Sequence, residues 1–227
     1  MRYKAILIDA DDTLFDFKQA ERLAIEETLS ELGFRDPNAA EAYHHINEAC
    51  WKEFERGELT QDQLKIRRFR ELLDQYGIES DAQVASDAYV SALAAKPHLL
   101  PGALEAVEEI ARHRPVALVT NGIGAVQRGR LSRSPIAPLI RAVLISEEVG
   151  QPKPHSAIFL RALELLGVSD PESALMIGDS LSSDMAGAAA LHIGTCWYNP
   201  CGLAPPEHIA FDHIAARISD FPKYALM

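Results

Sequence analysis

Near the start of the chain, four apolar residues, Ala5-Ile6-Leu7-Ile8, run straight into an acidic stretch, Asp9-Ala10-Asp11-Asp12. An apolar run of this length with β-branched members predicts a short, buried strand. The period then changes. From about 20 to 96 the apolar positions recur at helical spacing, with no convincing strand. The first helix ends at Gly33. The second spans about 38–56, with Ile46, Ala49, Cys50 and Phe54 at helical spacing, and Gly57 closes it. Thr60 with Gln63 matches a capping box and starts a third helix, which ends near Tyr76 and Gly77. The fourth spans about 80–95, with Val84, Ala88 and Leu93 on one stripe. Pro97, Pro101 and Gly102 mark a return to alternation. Strands are predicted over 116–119, 142–145, 174–177 and 193–197. Helices are predicted around Leu104, Val107 and Ile110, then up to about 131, over 154–166 with Pro154 at the start, and over 182–191. The tail carries little signal.

Strands alternating with helices imply α/β architecture, a doubly wound parallel sheet. A βαβ crossover needs one helix, not four, so residues 17–97 read as an inserted helical bundle and 1–16 with 98–227 as the α/β part. A length of 227 residues holds one large domain, or one with a smaller insert. The net charge of −11 repels nucleic-acid polymers and anionic membranes, so neither is an expected partner, and any phosphate site must be locally positive. No cationic segment precedes a long apolar run, and no stretch approaches the roughly 18 apolar residues of a membrane span. Three cysteines, odd in number and sparse, fit a reduced, cytoplasmic setting. Cys196 and Cys201 read as a buried and a loop thiol, and His44-His45 as a solvated helix face.

Polar residues recur where the strands end. Asp9 and Asp11 follow the first, two apart and so able to face one volume. Two like charges so close call for a cation or a shared proton, and an all-oxygen set suits magnesium. Thr120-Asn121-Gly122 ends the second strand, Lys153 follows the third, and Gly178-Asp179 with Asp184 follows the fourth. In a parallel sheet these ends share one edge, where ligands bind. Carboxylates for a metal, a hydroxyl and backbone N–H groups for phosphate, and a lysine for its charge make a coherent phosphoryl-transfer set. Aspartate serves as a covalent nucleophile in such chemistry, and a second one beside it can move the leaving-group proton.

The run Asp9-Ala10-Asp11-Asp12-Thr13, Thr120-Asn121-Gly122, Lys153, and Gly178 to Asp184 resembles the four motifs of haloacid dehalogenase-like hydrolases, in order and over the whole α/β part. The resemblance implies a Rossmann-like core with a helical cap after the first strand, Mg2+, and an aspartyl-phosphate intermediate. It makes Asp9 the nucleophile and Asp11 the acid/base. Thr120 and Asn121 bind phosphate, and Lys153 binds phosphate and neutralises charge. Asp9, Asp179, Asp184 and the main-chain carbonyl of Asp11 form the metal site. Asn47-x3-Trp51, Gly57-x2-Thr60, Arg68-Phe69, Leu100 to Ala103, Gln127-x2-Arg130-Leu131, Ile145 to Gly150 and Thr195-Cys196-Trp197 resemble, more narrowly, the pyrimidine 5′-nucleotidases of that superfamily. The substrate then expected is a small phosphate monoester, a pyrimidine nucleoside 5′-monophosphate, with Trp51 and Phe69 candidates to stack on the base. A monomer or homodimer is expected.

Alternatives are a phosphatase of phosphoglycolate or a sugar phosphate, and a non-catalytic regulator on the same fold. Asp11 argues against a dehalogenase, and a phosphomutase needs a bisphosphate to start. Two departures from the family stand out. Leu191-His192 replaces its usual Ala-Gly, at a cost of about 1 kcal/mol if His192 turns left-handed. The 132–138 loop is also rich in proline.

Overall fold

The computed structural model describes residues 2–206, 209 and 211–227. Its chain divides into two compact units. One comprises Met1–Asp16, Leu99–Gly124 and Leu131–Met227, and the other Phe17–His98 with Ala125–Arg130.

The α/β unit holds six strands: β1 (Ala5–Ile8), β2 (Val116–Thr120), β3 (Ala142–Ile145), β4 (Ala174–Gly178), β5 (Gly194–Tyr198) and β6 (His213–Ala215). All pair in parallel, in the order β3-β2-β1-β4-β5-β6. The sequence runs outward from β1 to β3, then crosses to β4 on the other side. The order thus reverses beside β1, the place where open α/β sheets bind ligands. Strands β1, β2, β4 and β5 are buried along their whole length because both faces are covered. Ile6, Ile8, Leu118, Leu175 and Ile177 pack on one face; Leu7, Ala117, Val119 and Met176 pack on the other.

The helical unit contains α1 (Phe17–Glu31), α2 (Ala39–Glu55), α3 (Gln61–Tyr76) and α4 (Ala82–Ala94). The capping box at Thr60 forms in full, with Thr60 N–H donating to Gln63 Oε1 at 2.8 Å and Gln63 N–H to Thr60 Oγ1 at 3.2 Å. Asp81 caps α4. The centre of this unit is aromatic: Tyr43, Phe69 and Tyr89 are fully buried, with ring centroids 5.0–5.4 Å apart.

The remaining helices are α5 (Ala103–Ala111), α6 (Gly124–Ser132), α7 (Ser146–Val149), α8 (Ser156–Leu166), α9 (Ala186–Ala190) and α10 (Phe221–Ala225). Three expectations need correction. Pro154 is not in the first turn of α8: the Lys153–Pro154 peptide is cis, and His155 caps the helix with Nδ1 accepting from Ala157 N–H at 3.2 Å. The helix expected over 182–191 opens instead as a π-helical turn, Leu181–Met185. The tail supplies a sixth strand, β6, and α10. Their shortness, three and five residues, hides them from periodicity. His192 does adopt the left-handed turn, at φ 58°. In the proline-rich loop, Ala137–Leu139 forms a single 3₁₀ turn.

Gly187 in α9 lets that helix lie against α8. A Cβ there would stand 2.4 Å from Phe159 Cε2 and 3.0 Å from Pro154 Cα. Gly187→Ala is expected to destabilise by about 1–3 kcal/mol, and adding Phe159→Leu should recover part of that. Urea unfolding of the two variants measures both steps.

Candidate active site

The ladder between β1 and β4 continues one residue past β1, where Asp9 N–H donates to Ile177 O at 2.9 Å. Asp9 therefore sits at the end of the central strand, beside the turn that carries Asp179. The chain then folds back, with Leu14 and Phe15 N–H donating to Ala10 O at 3.0 and 2.8 Å. Asp12 completes that turn at φ 56°, a conformation Asp tolerates better than most residues. Asp11 lies half-buried in it.

Lys153 ties the strand ends together. Its buried ammonium donates to Asp9 Oδ1 at 2.5 Å, Asp184 Oδ1 at 2.6 Å and Val119 O at 2.8 Å. An ammonium has three donors, and all three are used. Burial works against the Lys153 charge, yet Asp184 and Asp9 outweigh it and hold the group protonated. Burial pushes the Asp9 carboxyl well up; Lys153 pulls it down, and Asp184 and Asp179 add to the rise. Burial, followed by Asp184 and Asp12, pushes Asp179 up to about 7.

Around this hub the backbone is fixed. Asn121 Nδ2 donates to Lys153 O at 2.9 Å, and its Oδ1 accepts from Lys153 N–H at 2.7 Å. The Asn121 side chain is therefore committed to positioning Lys153. Thr120 Oγ1 accepts from Gly122 N–H at 3.1 Å, so its own hydroxyl proton remains to donate. Asp184 is fully buried, and its Oδ2 accepts from Ser180 N–H at 3.1 Å. Gly178 makes room for it: a Cβ at 178 would fall 2.2 Å from Asp184 Oδ2. Thr13 Oγ1 donates to Asp179 Oδ1 at 3.2 Å. Sequence reasoning did not anticipate Val119 O, the lysine-holding amide of Asn121 or the Thr13 contact. Thr13 lies inside the first motif and Asn121 inside the second, so both carried a sequence signal, though not for these contacts.

Oxygens of Asp9, Asp179 and Asp184 lie within 4.8 Å of one another. Three carboxylates against one ammonium leave net negative charge in a largely dry site. A hard divalent cation with oxygen ligands relieves it, so the donor set fits magnesium.

Trp51 and Phe69 belong to the helical unit. Trp51 is half-buried and meets Phe54 edge-on at 5.5 Å, whereas Phe69 is wholly buried between Tyr43 and Tyr89. The same unit holds a buried polar chain. Glu21 accepts from Asn47 Nδ2 at 2.6 Å and pairs with His44 Nδ1 at 2.6 Å, and Asn47 Oδ1 accepts from Arg68 Nη1 at 2.9 Å. His44 is thus anchored on Glu21, not merely solvated as the sequence suggested.

The family model for haloacid dehalogenase-like hydrolases matches residues 3–192. The chain belongs to this family. Among solved structures, the magnesium-bound crystal structure of the HAD hydrolase YfnB from Bacillus subtilis is similar along the whole chain. Its TM-score is 0.92 and its identity 29%, covering 100% of each chain. In sequence comparison YfnB is 34% identical over 200 residues, 88% of this chain and 85% of YfnB. The pyrimidine 5′-nucleotidase PynA of Streptococcus pneumoniae is 36% identical over 202 residues, covering 88% and 85%. The pyrimidine 5′-nucleotidase YjjG of Escherichia coli is 33% identical over 215 residues, covering 92% of each. This haloacid dehalogenase-like chain is accordingly a hydrolase with Mg2+ as its cofactor. Among the described residues no helix is long and apolar enough to cross a membrane.

Lys153→Met leaves Asp9 and Asp184 facing each other without a cation. Metal-free stability at pH 8 is expected to fall by about 3–5 kcal/mol. The loss should shrink toward pH 5. A carboxyl whose folded pKa is raised binds its proton more tightly folded than unfolded, so stability falls as pH rises. Denaturant titrations at the two pH values, with a chelator present, measure this.

Proposed function

We propose that the protein hydrolyses pyrimidine nucleoside 5′-monophosphates through an aspartyl-phosphate on Asp9. The observation that carries the chemistry is the gathering of Asp9, Lys153, Asp179 and Asp184 at one sheet edge. Asp9, Asp179, Asp184 and the main chain of Asp11 would hold Mg2+, which supplies positive charge opposite the phosphoryl oxygens.

Lys153 holds Asp9 Oδ1, so the other carboxylate oxygen is the one free to attack phosphorus. The new O–P bond forms as the bond to the nucleoside oxygen breaks. Asp11 gives its proton to that leaving oxygen. Asp11 then takes a proton from a water that attacks the acyl phosphate, which releases phosphate and restores the Asp9 carboxylate. The Thr120 hydroxyl and the main-chain N–H of Asn121 hold non-bridging oxygens.

The nucleotide reading is supported by the similarity to PynA and YjjG and by the helical unit. There Arg68 is nearly wholly buried and donates from Nη1 to Asn47, while Nε and Nη2 have no hydrogen-bond partner among the described residues. We assign those two donors to oxygen acceptors on the leaving group. With Phe69 enclosed, Trp51 is the ring left to stack on a base.

Magnesium-dependent turnover of a panel of uridine, thymidine, sugar and phosphoglycolate monophosphates tests the reading. Pyrimidine nucleotides are expected to show the highest kcat/KM, and dominance of a sugar or small acid phosphate overturns it. Asp9→Asn should abolish turnover with the fold intact. Arg68→Met should raise KM for nucleotides about tenfold or more, the worth of a charged hydrogen bond. Turnover of p-nitrophenyl phosphate should change little. An equal loss on both substrates contradicts the assignment.

A further inference from the structure

Asp179 is held at three points. Thr13 grips its carboxylate and the β4 ladder fixes the residue before it. The third is Trp197 on β5: the indole Nε1–H donates to the main-chain carbonyl of Asp179 at 2.9 Å. Trp197 is 2% exposed. Its ring is itself clamped, stacked on Phe211 with centroids 5.2 Å apart and planes 25° apart. Phe211 lies just before β6, in the tail that periodicity leaves blank. The carbonyl Trp197 holds belongs to the peptide linking Asp179 to Ser180, and Ser180 N–H holds Asp184. One indole hydrogen bond thus sits between two of the three carboxylates of the metal cluster.

We propose that Trp197, braced by Phe211, is a positioning residue for the magnesium site. It presets the Asp179–Ser180 peptide so that both carboxylates stand ready before the ion arrives. Three carboxylates crowded beside one ammonium repel each other, and only an over-determined backbone keeps them together without metal. A buried donor aimed at that peptide is the kind of outer support whose loss typically weakens metal binding 10–100-fold. The role is distinct from packing. Phe at 197 keeps an aromatic ring on the side of Phe211 and removes the N–H, together with part of the indole's volume. The inference rests on Asp179 being a metal ligand, and the experiment separates the two.

Magnesium binding to the full chain, without substrate, is measured by isothermal titration calorimetry for wild type, Asp179→Asn, Trp197→Phe and Phe211→Leu. The metal-free melting temperature and kcat at saturating magnesium are recorded alongside. Trp197→Phe is expected to bind magnesium about tenfold more weakly, with kcat restored by excess metal and a metal-free melting temperature lowered only modestly by the lost ring volume, as in Phe211→Leu. Phe211→Leu, which keeps the N–H but frees the ring, should weaken binding about threefold, part of the same effect. Wild-type affinity in Trp197→Phe, or a loss that follows the melting temperature in both variants, overturns the positioning role. If Asp179→Asn binds magnesium normally, the ligand assignment itself fails. If it does not bind but Trp197→Phe does as well as wild type, only the positioning role fails. Should Trp197→Phe not fold, Phe211→Leu decides, and unchanged affinity there overturns the proposal.

Discussion

Three hydrogen bonds from one ammonium hold the functional end of this molecule together. Lys153 is buried, and each of its donors meets an oxygen that the sheet puts in place: Asp9 after β1, Val119 in β2 and Asp184 after β4. Neighbouring parallel strands lie about 4.8 Å apart, so adjacent strand ends bring their first polar residues together without further design. The difficulty is that those residues are acidic and dry. A buried carboxylate is tolerated only when paired and hydrogen-bonded. Remove the ammonium and the same geometry becomes a repulsive cluster. The committed amide of Asn121 follows from this constraint, because a lysine that neutralises two carboxylates must itself be immobile. The bare Cα of Gly178 follows too, since Asp184 needs the volume a side chain would fill.

The sheet order explains why the cluster forms beside β1. The chain adds β2 and β3 on one side of β1 and β4 to β6 on the other. Connections leaving β1 and β4 therefore diverge, which opens a crevice where their ends meet. Under the proposed function, a ligand entering there would meet the Thr120-Asn121-Gly122 turn and the carboxylates that follow β1 and β4. With a net charge of −11 and three carboxylates gathered against one committed ammonium, the positive charge a phosphate needs there would come from a metal cation.

Much of this was legible in the sequence because its signals are local. Ala5–Ile8 and Ala142–Ile145 read as buried strands since both faces are covered, and Thr60 with Gln63 announced α3 through contacts three residues apart. What escaped depends on contacts between residues far apart in sequence. The Asn121 amide resembles a phosphate binder until Lys153, thirty-two residues on, takes both its donor and its acceptor. Phe69 resembles a base-stacking ring until Tyr43 and Tyr89 enclose it. His44 belongs to Glu21, twenty-three residues earlier. The start of α8 moved because His155, not a residue before Pro154, caps the helix, and the fourth motif forms a π-helical turn that periodicity reads as ordinary helix. The strand β6 has three residues, too few for alternation to register.

The helical unit argues for recognition on energetic grounds. Its centre combines the aromatic triad Tyr43, Phe69 and Tyr89 with a polar chain, Glu21 to Asn47 to Arg68, that is almost as deeply buried. Arg68 lies over the rings of Tyr43, Phe69 and Tyr89, at 6.0, 5.5 and 4.9 Å from their centroids. Those contacts offset part of the cost of burying its charge, at about 0.5–2 kcal/mol each. They do nothing for the N–H groups in the guanidinium plane, two of which remain unmatched. A hydrophobic side chain of similar volume would often pack as stably as such a buried ionic group, or more so. Stability alone therefore does not account for an arginine there. The proposed role in nucleotide recognition would account for both the residue and its incomplete satisfaction among the described residues.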